Sequence, residues 1–334
     1  MSKQYRVLVL TDHSGHSDQN SVYSLLRAML VHQQCASVHV ASRGLAINRG
    51  FFEAMQPNSL LATKIDSSFG YSEDGACYSE ALVKVRPADY DLVFMRLPRP
   101  ISDDFLLWIH MQYGHAVIVN SPKGIITTSS KEYLLEFPTL CPSMRLCESV
   151  QSVLDAAAEY PIVLKPLRAY GGQGILKIAN GMVDDGTNTY EAESYLPTIE
   201  QALQEDGYLA MKFLSNVSNG DKRILVVNGE IMGASLRLPA DGSWLCNVAQ
   251  GGTSVPAEVS DAERNIIEQL TPALLRHGIV IYGADTLEDD NGQRILSEIN
   301  TLSIGGFPQA EVQTGRPIVA QTIQKIFEYA DSRT

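Results

Sequence analysis

Several things are scarce or missing in this 334-residue chain, and each absence closes a line of interpretation. Long apolar runs are missing at the start: "MSKQYRVLVLTDHSGHS" carries only the short "VLVL" before polar residues return, so neither a secretory signal nor a membrane span is expected there. Cysteine is sparse. Cys35, Cys77, Cys141, Cys147 and Cys246 are odd in number and scattered, with no CxxC pair and no histidine at zinc-finger spacing. Reduced thiols in a cytoplasmic protein are the expectation. Positive charge is in deficit, 26 Lys and Arg against 38 Asp and Glu, for a net charge of -12. A general nucleic-acid or acidic-membrane binder needs a basic face, so neither partner is expected, and an anionic ligand must be met by individually placed lysines and arginines. No GxGxxG follows the first strand-like run, which argues against a dinucleotide site there, and the GxxxxGK[ST] of a Walker A loop is absent. No Ser-His-Asp arrangement can be inferred, and there is no internal repeat or low-complexity tract.

What is present is a globular composition, 45% hydrophobic and 19% charged, on a chain long enough for two or three domains. The first third alternates strand-like and helix-like runs: "YRVLVLTD", "SVYSLLRAMLVHQ", "ASVHVASR", "DLVFMRLP", "FLLWIHMQY" and "HAVIVNSP". That alternation predicts a parallel sheet with helices on its faces, whose strands are short apolar runs because both faces are covered. A change of pattern places a second domain near Ser121, opening with a helix around "SKEYLLEF". From Tyr208 antiparallel signals dominate: "KRILVV" and "EIMGASLRLP" are joined by Asn228-Gly229, suited to a type I′ hairpin turn, and "GIVIYGADTLE" and "QRILSEINTL" by "DDNG".

Two stretches carry chemistry. In "VLKPLRAYGGQGILKI" Lys165 sits inside an apolar strand, and burying an ammonium costs several kcal/mol unless an anion meets it. The glycines that follow, between two strands, make a flap whose backbone N–H groups can close over phosphates. In "YGADTLEDDNGQRILSEIN" Glu298 and Asn300 lie two apart on a strand and share a face, and Asp285 joins them if the preceding strand pairs alongside. Such hard oxygen donors suit a magnesium ion that keeps waters and nucleotide phosphates in its shell. Glu288, Asp289 and Asp290 read as a solvated turn. Arg96 ends an apolar strand at the carboxyl edge, where ligand sites of α/β sheets gather, and is a candidate substrate contact. Asn20 and Ser21 can cap a helix and meet a substrate anion, whereas His13 and His16 read as polar loop residues.

The order "VLKP...GGQGI", "NGDKRILVVNGEIMGASLRLP" and "SEIN" resembles the ATP-grasp superfamily and, within it, the bacterial glutathione synthetases. The resemblance runs from about Tyr5 to the C-terminal helix and is densest between Asn120 and Asn300. It implies an α/β and α+β architecture: an N-terminal parallel-sheet substrate-binding domain over 1–121, a small lobe with the glycine flap over 122–207, and a C-terminal lobe with the metal site over 208–334. It further implies that Lys131 and Lys165 bind nucleotide, that Tyr170, Gly171, Gly172, Gln173 and Gly174 form the flap, and that the backbone of Met211, Lys212, Phe213 and Leu214 reads adenine. Asp285, Glu298 and Asn300 match the magnesium ligands, with two ions, or manganese, in view; Arg223, Arg237 and Asn247 match catalytic positions, and Ser303, Gly305 and Gly306 join the substrate set.

The implied reaction is ATP-dependent amide formation between a small-molecule acid and an amine, with γ-glutamylcysteine and glycine as leading substrates. The alternatives are a ligase for another amino acid or peptide, a phosphotransferase, or a non-catalytic ATP-binding protein. The resemblance leaves room for a homo-oligomer, which no stripe in the sequence proves. Departures bear on the substrate. Leu245 stands where relatives commonly carry an arginine two residues before Asn247, Thr253 follows the glycine pair Gly251-Gly252, Leu97 and Pro98 replace a polar pair after Arg96, and the final loop reads "NTLSIGGFPQAE". Loss of a cationic contact to a transferring phosphate costs orders of magnitude in rate, so another residue substitutes or the substrate differs.

Overall fold

Three sheets are built from consecutive stretches of the chain, in a computed structural model that describes residues 3–169, 171–240, 244–246 and 253–334. Tyr170, Asn247, Gly251 and Gly252 lie outside the described residues. The first sheet contains β1 (Tyr5–Thr11), β2 (Cys35–Ser42), β3 (Leu61–Lys64), β4 (Leu82–Lys84), β5 (Leu92–Arg96) and β6 (Val117–Val119), in the order β4-β3-β2-β1-β5-β6. β1 pairs in parallel with β2 and β5, and β5 with β6, while β3 and β4 add an antiparallel edge. All five residues of β5 are buried, as a strand covered on both faces requires.

The second sheet contains β7 (Met144–Cys147), β8 (Ile162–Pro166), β9 (Leu176–Ala179), β10 (Met182–Asp184), β11 (Thr189–Glu191) and β12 (Tyr208–Lys212), ordered β11-β10-β9-β8-β12-β7 and antiparallel throughout. It has a small core of its own, centred on Val153, Leu164, Ile178 and Leu203. The sequence places residue 208 at the head of the third unit, but β12 pairs with β7 and β8, so the second sheet extends to Lys212. The helix expected around "SKEYLLEF" is a 3-10 helix, Lys131–Glu136. Ser130 caps it through Glu132 N–H, and Pro138 denies it the length at which α-helical bonds would take over.

The third sheet contains β13 (Asp221–Val227), β14 (Glu230–Leu238), β15 (Thr253–Pro256), β16 (Ile281–Glu288) and β17 (Arg294–Asn300), ordered β15-β14-β13-β16-β17. Asn228 and Gly229 take φ 48° and 82°, the left-handed pair that a two-residue turn between β13 and β14 needs. The first and third sheets share one core, in which Val9, Phe94, Leu225, Ile304 and Phe327 are all buried. The C-terminal helix Ile318–Asp331 supplies Phe327, which meets the Tyr5 ring at 5.6 Å and stacks on His32 at 4.5 Å. Asn120 stitches the junction: its amide donates to the carbonyls of Ile281 (2.6 Å) and Thr301 (2.7 Å) and accepts from the N–H groups of Val280 (2.8 Å) and Ile281 (2.9 Å). A buried amide satisfied four times fixes the start of β16 and the segment just after β17 against the carboxyl edge of the first sheet.

Candidate active site

A first cavity opens between the second and third sheets. Val163, Ile175, Met211, Phe213, Leu214 and Leu287 line it as an apolar slot, and Lys131, Lys165, Ser297 and Glu298 give it a polar end. Strand pairing explains the convergence, because β8 lies beside β12 with Val163 opposite Met211 and Lys165 opposite Leu209. The Lys165 ammonium reaches the Ser297 carbonyl at 3.3 Å and the Met211 sulfur at 3.7 Å, with no carboxylate partner among the described residues. Lys131 is 9% exposed. Its ammonium donates to the Ala169 carbonyl and lies 3.8 Å from Glu298, and burial lowers its pKa. Of the strand-end amides, Lys212 N–H is bonded to the Ser143 carbonyl and Phe213 N–H to the Pro161 carbonyl, each at 2.8 Å.

The flap joins β8 to β9. Gly171, Gly172 and Gly174 take φ 65°, 80° and 67°, so a side chain at any of them is strained, and Gln173 lines the first cavity between them. Trp244, Leu245 and Cys246 close the cavity from the third sheet's side. The Trp244 indole N–H donates to Asp184 at 3.0 Å, and Leu245 packs over Gly186, where a Cβ would lie 2.6 Å from its methyl group. Leu245, the departure from the arginine of relatives, therefore rests on the β10–β11 hairpin.

A second cavity, of about 840 Å³, lies between the carboxyl edge of the first sheet and the third sheet. Behind its lining residues Arg223 and Arg237 lies Asp285, fully buried, opposite Glu298 in the β16–β17 ladder next to a bulge. Arg223 grips Asp285 with two bonds of 2.8 and 2.6 Å, and Arg237 adds one of 2.8 Å while also holding Asp221 at 2.6 Å. Burial pushes the Asp285 carboxyl up, but the two guanidinium groups outweigh it and hold the group well below the usual carboxylate range. Burial and the Asp285 charge push Asp221 up.

Asn300 donates to Asp285 at 3.1 Å, an orientation that leaves its amide oxygen as the free acceptor. Glu298, its side chain 28% exposed, has Lys131 as its one ion-pair partner among the described residues. Among the described residues no three His, Cys, Asp or Glu side chains gather, so the donor set is Glu298 and Asn300 with Asp285 charged behind them. One or two carboxylates with open positions for phosphate oxygens and water fit magnesium.

Of the substrate candidates, Asn20, Ser303, Gly305 and Gly306 line the same cavity, whereas Ser21 and Arg96 are buried and do not line it. Asn20 lines it and caps the helix Ser21–Val31, accepting from Val22 N–H at 3.0 Å. Ser21 is buried and accepts from Gly306 N–H at 3.0 Å, so it holds the loop in place. Ser303 and Gly305 line the cavity with Gly306, and the Ser303 hydroxyl donates to the Arg96 carbonyl at 3.1 Å. Lys131, Ala169 and Glu298 line both cavities. Asp221 and Trp244 carry no assignment in the sequence, where His16 reads as a polar loop residue. Asp221 opposes Arg237 only through β13–β14 register, and His16 had as its one signal its place just beyond the first strand.

The chain matches the family model described as prokaryotic glutathione synthetase, ATP-grasp domain, over residues 130–315. It is 30% identical to the glutathione synthetase of Nitrosomonas europaea, over 76% of this chain and 77% of that one. With the glutathione synthetase of Neisseria meningitidis it shares 27% identity over 94% and 96% of the two chains. Its fold is similar to that of the D-cycloserine synthetase DcsG, with a TM-score of 0.67 at 12% identity, covering 97% of this chain and 99% of that one. The family match takes in Lys131, the flap, both arginines and the Asp285–Asn300 cluster, and leaves Asn20, Ser21 and Arg96 outside.

Proposed function

The chain belongs to the prokaryotic glutathione synthetase family of ATP-grasp ligases, which form carbon–nitrogen bonds with ATP and magnesium, and from that premise we propose that it joins a carboxylic acid to an amine through an acyl phosphate. γ-Glutamylcysteine and glycine are the leading pair. The observation that carries this reading is the seam: Lys131, Ala169 and Glu298 belong to both cavities, so a nucleotide in the apolar slot and an acid in the second cavity meet there.

In this reading the slot takes the base. Leu214 N–H is its donor, since the amides of Lys212 and Phe213 are already bonded. Lys131 and Lys165 hold the phosphates, and the Gly171–Gly174 flap with Gln173 covers them against water. Glu298 and Asn300, backed by Asp285, hold the metal, which supplies charge neutralisation on the transferring phosphoryl group; two magnesium ions, replaceable by manganese, are the stoichiometry proposed. A carboxylate oxygen of the acid attacks the terminal phosphorus and ADP leaves. The amine nitrogen then attacks the acyl carbon, gives up a proton, and phosphate departs with that carboxylate oxygen. Arg223 and Arg237, fixed by Asp285 and Asp221, stand beside the reacting carboxylate, and Asn247 is assigned to the same step.

Product analysis by mass spectrometry, with MgATP and a mixture of amino acids and γ-glutamyl dipeptides, tests the assignment. Amide, ADP and phosphate in equal amounts, requiring both acid and amine, are expected. A stable phosphorylated acid formed without amine would make the protein a kinase, and nucleotide binding without turnover would make it a binding module.

A further inference from the structure

The turn between β16 and β17 reads in the sequence as a solvated acidic tip, and Asp290 is exposed. Its carboxylate is nevertheless bound to another part of the chain. One oxygen takes the Lys212 ammonium at 2.7 Å, and the other accepts from the Ser215 N–H at 3.0 Å and the Ser215 hydroxyl at 2.8 Å. These bonds, Lys212 foremost, hold the Asp290 pKa down at about 2. One residue earlier, the Asp289 carbonyl accepts from the Asn216 amide at 2.6 Å. The tip that makes this grip is itself stiff. The Asp289 carboxylate accepts from the N–H groups of Asn291 (2.9 Å) and Gln293 (2.8 Å), while its backbone bonds the Gln293 carbonyl and the Gly292 N–H. Gly292 takes φ 79°, which closes the turn.

What is gripped is the wall of the first cavity. Lys212, Phe213, Leu214 and Val217 line it, together with Leu287 from β16, whereas Asp290 does not. The 3-10 helix Ser215–Asn219 begins directly after Leu214, whose side chain offers no acceptor for the first helical N–H. Asp290 supplies that acceptor from the hairpin. The Leu214 peptide group thus lies between Phe213 N–H, tied to the Pro161 carbonyl ahead of β8, and Ser215 N–H, tied to the β16–β17 turn. The same hairpin carries Asp285 on β16 and Glu298 and Asn300 on β17.

Building on the reading that the first cavity takes the base of ATP, we propose that Asp290 is a positioning residue for base recognition. By bonding Ser215 it fixes the Leu214 N–H relative to β17, so that one hairpin sets both the edge that reads the base and the strand that carries Glu298 and Asn300. The Ser215 bonds carry the effect, since a carboxylate holding a backbone N–H makes a charge-assisted hydrogen bond. The pair with Lys212 adds little, because both side chains are 38% exposed. Lys131 and Lys165 stand on other elements, so the hold on the phosphates does not run through Asp290.

Calorimetry on the full chain, with magnesium, compares a non-hydrolysable ATP analogue with inorganic tripolyphosphate, which has the phosphates and no base. Asp290→Ala should weaken the ATP analogue about tenfold and leave tripolyphosphate as in wild type. Asp290→Asn keeps an acceptor for Ser215 and loses the pair with Lys212, so it should stay within about twofold of wild type. Hydrogen exchange at the Ser215 N–H should be slow in wild type and in Asp290→Asn, and fast in Asp290→Ala. Unchanged affinity for the ATP analogue in Asp290→Ala, or equal weakening of both ligands, would overturn the proposal. So would a wild type that holds the ATP analogue no better than tripolyphosphate, because the cavity would then read no base. The comparison requires no amide formation. The expected pattern upholds the role of Asp290 even if the protein proves to be a kinase or a binding module, and its failure leaves the ligase reading to product analysis.

Discussion

The two cavities that meet at Lys131 and Glu298 treat charge in opposite ways. In the first, Lys165 has no carboxylate among the described residues, only a carbonyl and a thioether. In the second, Arg223 and Arg237 are locked by Asp285 and Asp221 before any ligand arrives. In the proposed reading the first takes a polyanion, the nucleotide phosphates, at its polar end. The second is an internally balanced frame that fixes positions. Acids removed from the frame should cost folding stability, whereas cations removed from the first cavity should cost only ligand affinity.

Asp285→Asn is expected to have the largest effect. It leaves two buried guanidinium groups sharing a neutral amide, and breaking such a pair costs about 3–5 kcal/mol. Urea unfolding reads this directly, and wild-type stability in the variant would mean the frame is not held by its ion pairs. Next, Glu298→Gln should lower turnover by about a thousandfold while changing ATP affinity far less, since metal placement acts on the developing charge and binding keeps the slot and both lysines. Glu288→Gln, at the exposed end of β16 where the carboxylate accepts from Asn219, is the control and should be silent in the same ADP-release assay.

Lys165→Met should weaken ATP binding about a hundredfold, with circular dichroism and melting temperature unchanged. A loss of stability instead would place Lys165 in a structural role and erase the contrast between the cavities. The smallest effect concerns His16. Its folded pKa of about 4 lies below the ordinary 6.5, so protonation favours the unfolded chain. The stability it contributes is complete above pH 6.5 and is lost as pH falls from there towards 4. His16→Gln should flatten that part of a melting-temperature profile, although His13, also depressed by burial and close to Asp12, keeps some slope.

What was legible in the sequence follows the same division. Asn228-Gly229 announced its turn, the alternation in "SEIN" put Glu298 and Asn300 on one strand, and "VLKP" before a run of glycines put Lys165 on a strand ahead of a loop with left-handed glycines. Each signal is local, a matter of turn chemistry or strand period. The frame was not legible, because Asp285 meets Arg223 and Arg237 only through the register of β16, β13 and β14. Nor was the role of Asn120, whose four bonds reach residues far along the chain. His16 looked like a loop residue because nothing near it in sequence supplies Tyr78, the ring against which it packs.

The seam can be tested by following one oxygen atom. The acid substrate, γ-glutamylcysteine labelled with ¹⁸O in its reacting carboxylate, is turned over with glycine and MgATP, and the released phosphate is weighed by mass spectrometry. The account predicts one labelled oxygen in each phosphate, formed with amide in equal amount and lost together with turnover in Glu298→Gln. Unlabelled phosphate accompanying amide formation would contradict it, because the carboxylate would then never have been joined to phosphorus where the two cavities meet.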